Sequence, residues 1–284
     1  MATFRAACVQ VNAGNDMDAN LAAAGDLIRR AADAGADFIT TPEVVAMMET
    51  GRDNIRAKAT DEPNHPALAA FRSLAAETGK WLLVGSLTIK EDDGPLYNRS
   101  FLLDPEGRIV ARYDKIHMFD VNLPNGVSIR ESNAYRSGDA AVLADLPWAR
   151  LGMTICYDLR FPYLYRDLAH AGAQVLTIPS AFMQVTGEAH WHVLLRARAI
   201  ETGCFVIAAA QCGSHPGNRQ TYGHSLIIAP WGEIVAEAGT EPGVVTADID
   251  LALVEKARGR IPALEHDRDY GAPAVVNMVA DAAE

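Results

Sequence analysis

The sequence predicts a layered α/β sandwich. Short apolar β-type runs alternate with Ala-rich helical segments, antiparallel hairpins interrupt that alternation, and strands such as "CFVIAAA" are apolar throughout, as strands covered on both faces are. A chain of 284 residues is long enough to bury such a core, and its 49% apolar content is ordinary for a globular protein. No linker rich in Pro, Gly or Ser and no repeat divides it. Residues 1–270 therefore read as a single domain, and 271–284, where periodicity fades, as a C-terminal tail.

The elements follow in order. "FRAACVQV" (4–11) reads as a strand, and 19–36 as a helix with apolar residues at helical spacing, ending at Gly35. A strand running into a loop follows at 37–45, a helix at 66–80 and a strand at 81–89. Residues 96–117 form a hairpin turning at "DPEG". After a long loop come a strand at 150–157, a helix at 162–173, a strand at 174–181, a helix at 189–203 and a strand at 204–212. A second hairpin (222–239) turns at "PWGE", and "GVVTADID" precedes a helix near 250–259.

Composition excludes several classes of function. There are 25 basic against 36 acidic residues, a net charge of −11, which disfavours nucleic acid or an anionic membrane as partner. "MATFRAACVQV" lacks the pattern of a secretory signal, and no apolar run approaches a membrane span. Four cysteines (Cys8, Cys156, Cys204, Cys212) do not suggest a disulfide framework. A reducing, cytoplasmic setting is expected.

Ligands of parallel α/β sheets bind beyond the carboxyl ends of strands. Three polar residues stand out there. Cys156 ends the strand "LGMTIC" before a helix, where the helix dipole would lower its pKa; its alternative reading is a buried core thiol, as for Cys8, Cys204 and Cys212. Glu43 follows Pro42 in "FITTPEVV", and is either a general base on a stiffened backbone or a carboxylate at a helix start. Lys115, among Tyr113, Ile116, Met118 and Phe119, is either an enclosed oxyanion donor or a surface lysine at a strand end. A zinc site is not expected: His190 and His192 are two apart and do not share a helix face, and there is no CxxC.

Taken together, the phrases around these residues resemble the nitrilase superfamily, the carbon–nitrogen hydrolases. They are "TPEVV", "RYDKIHMFD", "ESNAYRSGD" and "GMTICYDLRFPYLYRDLAHAGAQVLTIPSAF", extended by "TGEAHWHVLLRARAIETGCFVIAAAQCG" and "YGHSLIIAPWGEIVAEAG". The resemblance runs from Phe4 to about Asp269. It implies a four-layer αββα sandwich that pairs into an eight-layer homodimer, and no metal or organic cofactor. Residue by residue, Glu43 resembles the family's general base, Lys115 its catalytic lysine and Cys156 its nucleophile. Glu131 resembles the glutamate that positions substrate and lysine, and the Tyr157 N–H serves the oxyanion. The implied reaction is hydrolysis of a small-molecule amide through a thioester, releasing ammonia.

The wording looks most like the branch of deaminated glutathione amidase and omega-amidase, which act on anionic 2-oxo acids. Arg160 is then a candidate cation for the substrate, or a structural ion pair; Phe182 and Thr186 are candidate pocket walls, or loop packing. Glu188 and His192 depart from the branch pattern of a proline before "AHW" and an acid after it, and the loop 121–130 is another variable place. A non-catalytic binding protein is disfavoured by retention of Glu43, Lys115, Glu131 and Cys156 together. An acyl-transfer enzyme that delivers the thioester to an amine remains a second alternative.

Overall fold

Two six-stranded sheets are stacked face to face, and helices cover the outer face of each. The computed structural model describes residues 3–91, 94–123, 126 and 128–275. In chain order its strands and α-helices are β1 (Thr3–Gln10), α1 (Met17–Asp33), β2 (Phe38–Thr40), α2 (Arg52–Lys58), α3 (Pro66–Thr78), β3 (Trp81–Lys90), β4 (Leu96–Leu103), β5 (Ile109–Asp114), β6 (Asp120–Asn122), β7 (Ser128–Arg130) and β8 (Val142–Asp145). There follow β9 (Arg150–Met153), α4 (Pro162–His170), β10 (Val175–Thr177), α5 (Gln184–Thr202), β11 (Phe205–Ala208), β12 (Cys212–His215), β13 (Arg219–Tyr222), β14 (Leu226–Ile228), β15 (Ile234–Glu237), β16 (Gly243–Asp250) and α6 (Ala252–Arg260).

The first sheet has the order β16-β1-β2-β3-β4-β5 and the second β15-β14-β11-β10-β9-β8. Each has a parallel centre, β1–β2–β3 in one and β9–β10–β11 in the other, with antiparallel strands at both edges. Strand alternation decides which side chain goes where. In β1, Phe4, Ala6 and Cys8 face the second sheet, while Ala7 and Val9 face α1 and α3. In β4, Leu102 points between the sheets and Phe101 and Leu103 point to the helices. The second sheet packs α4 and α5 on its other side, so the layers run α, β, β, α.

Helix ends follow local chemistry. Asp16 caps α1 by accepting from the Ala19 N–H, and Pro66 opens α3. Gly79 and Gly203 close α3 and α5 in the left-handed conformation.

The structure departs from the sequence reading at several segments. The strand expected at 37–45 stops at Thr40, because Pro42 and the turn after it leave the sheet. The strand expected at 204–212 splits into β11 and β12, and β12 pairs with β13 as a separate ribbon. Within 121–130, read as loop, β6 and β7 pair antiparallel; residues 124, 125 and 127 lie outside the described set. The short strand β8 and helix α2 were not anticipated, and α5 begins at Gln184 rather than 189. Residues 271–275 are exposed without regular structure, and the remainder of the expected tail lies outside the described residues.

Candidate active site

Glu43 is held by a clamp built from β3. The Thr41 N–H donates to the Leu83 carbonyl at 3.0 Å, the Thr41 hydroxyl accepts from the Gly85 N–H at 3.0 Å, and the Val44 N–H donates to Ser86 Oγ at 2.8 Å. The pairing of β3 with β4 shifts register between Val84 and Leu87, which opens room for this loop. Gly85 is required there, since a Cβ would lie 2.1 Å from the Thr41 carbonyl oxygen. Gln211 Nε2 donates to the Glu43 carbonyl at 3.0 Å.

Lys115 follows β5 and is 2% exposed at its side chain. Its Nζ lies 2.8 Å from Glu43 Oε1 and 2.9 Å from each carboxylate oxygen of Glu131. Glu131 is fixed in turn by the Phe119 N–H, which donates to its Oε2 at 2.6 Å. Asn98, on β4, donates through Nδ2 to Glu43 Oε1 at 2.9 Å and to Glu131 Oε1 at 3.3 Å. The Ala181 N–H, beyond β10, donates to the other Glu43 oxygen at 2.8 Å. Burial pushes the Glu43 carboxyl up, but the Lys115 charge and hydrogen bond, with Arg219 and the Cys156 thiol, outweigh it and hold the pKa below its ordinary value. Burial pushes Lys115 down, and the charges of Glu131 and Glu43 raise it well above the ordinary value. Both groups are charged at neutral pH.

Cys156 opens a five-residue 3-10 turn, Cys156–Arg160, rather than an α-helix; α4 begins only at Pro162. Its φ is 47°, a left-handed conformation that costs a residue with a Cβ about 1–2 kcal/mol. The Cys156 N–H donates to the Pro179 carbonyl at 3.0 Å. Asp158, fully buried, holds the turn to the Lys115 segment: it accepts from the Ile155 N–H, the Tyr113 hydroxyl and both the backbone and ring nitrogens of His117, at 2.7–3.0 Å. The thiol's pKa is raised by burial first and the Glu43 charge second, against a smaller downward pull from Lys115. The expectation of a helix-lowered pKa is therefore corrected. A short 3-10 turn brings little dipole, and an enclosed carboxylate faces the sulfur.

The first four residues meet in one cavity of about 760 Å³. Glu43, Lys115, Glu131 and Cys156 all line it, as do Tyr157, Phe182 and Thr186. The Tyr157 N–H sits in the first turn of the 3-10 segment, where no preceding carbonyl is placed to receive it. Arg160 does not line the cavity. Its guanidinium lies 5.3 Å from the Phe182 ring and 5.9 Å from the Tyr157 ring and reaches His190 Nδ1 at 3.3 Å; it is not on the cavity lining and pairs with no carboxylate among the described residues. Glu188 and His192 are also absent from the lining.

Sequence reasoning missed Asn98, Asp158 and Arg219. Asn98 left a readable trace as a polar side chain at an inward position of an apolar strand. Asp158 and Arg219 left none, because their side-chain roles depend on Tyr113, His117 and Ala181, about 40 positions away in sequence. It also missed one cluster of metal-type donors. His192 Nε2 and His224 Nδ1 both approach Glu237 Oε1, at 3.0 and 2.9 Å, and the three donor atoms lie within 4.8 Å of one another. These atoms satisfy one another, away from the cavity.

The chain as a whole is similar to known proteins. A carbon-nitrogen hydrolase family model matches residues 5–259. A deaminated glutathione amidase of Bos taurus is 40% identical over 268 residues, 92% of this chain and 81% of its own. The C. elegans NitFhit protein superposes with a TM-score of 0.87 at 36% identity, covering 94% of this chain and 66% of that one. A glutamate-to-glutamine mutant of the Nesterenkonia sp. AN1 amidase, carrying the acetamide moiety of fluoroacetamide on its active-site cysteine, has a TM-score of 0.80 at 26% identity; the match covers 93% of this chain and 94% of that one.

Proposed function

The chain belongs to the carbon–nitrogen hydrolase family, and from that premise we propose that it hydrolyses deaminated glutathione through a thioester on Cys156. One observation carries the reading. A thiol on a strained turn lines one cavity with a buried carboxylate that is itself paired with an enclosed lysine. That is the arrangement a neutral thiol needs to be deprotonated as it attacks.

In the proposed mechanism, Glu43 takes the Cys156 proton as sulfur attacks the amide carbon. Lys115 and the Tyr157 N–H receive the oxyanion. Collapse breaks the C–N bond, and the proton on Glu43 passes to the leaving amine. Water then enters and gives a proton to Glu43 as it attacks the thioester. When the C–S bond breaks, that proton returns to sulfur and the acid departs. Glu131 keeps the ammonium of Lys115 in place, and Asn98 keeps the two carboxylates in register. Phe182 and Thr186 are the walls beside the acyl chain. Arg160 contributes positive potential from behind Phe182.

Deaminated glutathione is glutathione with its amino group replaced by oxygen. The amide under attack joins a 2-oxo acid to cysteinylglycine, so the amine that leaves is the dipeptide. Release of ammonia, the sequence-based expectation, applies only to unsubstituted carboxamides such as 2-oxoglutaramate. The cavity of about 760 Å³ is roomy for a tripeptide-sized molecule and large for 2-oxoglutaramate, which favours the former. The test ranks the two by kcat/KM: deaminated glutathione comes first, and a tenfold lead for 2-oxoglutaramate overturns the choice. Turnover only with an added amine would favour acyl transfer.

The same reading has the chain work as a homodimer in the cytoplasm. Val193 and Ile200, seven residues apart on α5, are exposed apolar side chains, and Tyr163 on α4 is exposed as well. All four cysteines are free, and no helix among the described residues is long and apolar enough to cross a membrane. A monomeric mass by light scattering at micromolar concentration would refute the pairing.

A further inference from the structure

Three arginines line the cavity: Arg52, Arg130 and Arg219. Arg52 and Arg130 are exposed at its mouth, whereas Arg219 is half-buried on the wall. Arg219 donates one hydrogen bond, from Nη2 to the Ala181 carbonyl at 2.9 Å, and its buried Nε has no partner. No carboxylate among the described residues forms an ion pair with it, in a chain whose net charge is −11, whereas Arg99, also half-buried, meets three acids. Its position is enforced. The turn before it holds Gly217 and Asn218 in left-handed conformations, at φ 72° and 57°. Ala181 receives Arg219 at its carbonyl and gives its N–H to Glu43, so the guanidinium stands one residue's width from the reacting groups.

A half-buried guanidinium whose Nε is unpartnered and which no carboxylate touches directly is best satisfied when an anion arrives with the ligand. We propose that Arg219 is the specificity-determining residue that binds a carboxylate on the acyl side of the substrate amide, so that the enzyme selects amides of dicarboxylic acids over neutral amides. The inference rests on the amidase reading and deepens it. It moves the substrate-reading cation from Arg160, which lies behind the wall, to Arg219, which is on it. A guanidinium is suited to the task because its planar fork matches a carboxylate and stays charged at every working pH.

The experiment compares two unsubstituted amides with the same leaving group, succinamate and butyramide, which differ in the terminal carboxylate. In Arg219→Gln the succinamate-to-butyramide ratio of kcat/KM falls by about 10- to 100-fold, mostly through KM for succinamate. Arg219→Lys, which keeps a point charge without the fork, falls by less. An unchanged ratio, with both amides slowed equally, would show that Arg219 only positions Ala181 and Glu43, and the inference fails. A second measurement needs no variant: in the unaltered enzyme, raising the salt concentration lifts KM for succinamate and leaves that for butyramide flat. Equal salt responses would also overturn it. If the unaltered enzyme hydrolyses no amide at all, the functional reading fails instead.

Discussion

Two clusters of three ionisable side chains can be set side by side. In one, Lys115 lies between Glu43 and Glu131, with side-chain exposures of 2%, 5% and 12%. In the other, Glu237 lies between His192 and His224, at 38%, 30% and 24%. The distances are equally short in both. The difference is in what surrounds them. The first draws hydrogen bonds from Asn98 and from the Ala181 and Phe119 N–H groups, and opens on a cavity that the thiol also lines. The second is satisfied within itself and faces solvent. Ionisable side chains in contact do not make a site; enclosure, fixed donors and an opening for substrate do.

The largest effect that tests this contrast is at Cys156. Cys156→Ala should lower kcat by about 10⁴-fold or more while shifting Tm by less than about 4 °C, as steady-state kinetics and thermal melts would show. Measurable turnover at a hundredth of the original rate would break the comparison. Glu43→Gln follows, with about a 10²- to 10⁴-fold loss in kcat, because the amide keeps the shape but accepts at only one of the two positions and cannot take the proton. Asp158→Ala is expected to cost about 3 kcal/mol in urea unfolding and to reduce activity with it, since it leaves the Tyr113 hydroxyl and the Ile155 and His117 N–H groups buried without an acceptor.

The pH dependence sharpens the same contrast. Glu43 must be ionised to act, and its pKa is held below the ordinary carboxylate value, so kcat/KM stays level as pH falls toward 5 and drops only below the ordinary range near 4.3. Cys156 is raised, so its alkylation by iodoacetamide shows no titration step near the ordinary thiol value. A step between pH 7 and 9 would mean that the resting nucleophile is a thiolate. The smallest effect belongs to the exposed cluster: His192→Ala should change stability by less than about 1 kcal/mol and kcat by less than about twofold.

Much of this was legible in the chain because it is written in short-range pattern. The alternation in β1 and β4 assigned inner and outer faces, and Gly and Pro marked the helix ends. β6, β7 and β8 were not legible, since their residues are largely exposed or half-buried and leave little apolar pattern. Glu43, Lys115, Glu131 and Cys156 were legible only through the family-like wording around them. Nearness to Cys156 in sequence suggested Arg160 as a wall cation, whereas its guanidinium packs over the Phe182 and Tyr157 rings and is not among the cavity-lining residues. Apart from the Ile155 N–H beside Asp158, the partners of Asn98, Asp158 and Arg219 are 33 to 55 positions distant, and no local window contains them.

The seam between the sheets has a consequence in time. Glu43, Asn98 and Lys115 leave from the first sheet, Cys156 and Ala181 from the second, and Arg219 from the ribbon beyond it. Neither half holds a working set alone. During refolding from denaturant, helix signal and tryptophan burial can return while the two halves are still separate, but the carboxylate and the sulfur meet only when the sheets dock. Recovery of amide hydrolysis should therefore be the slowest observable, a clock for the last step of assembly.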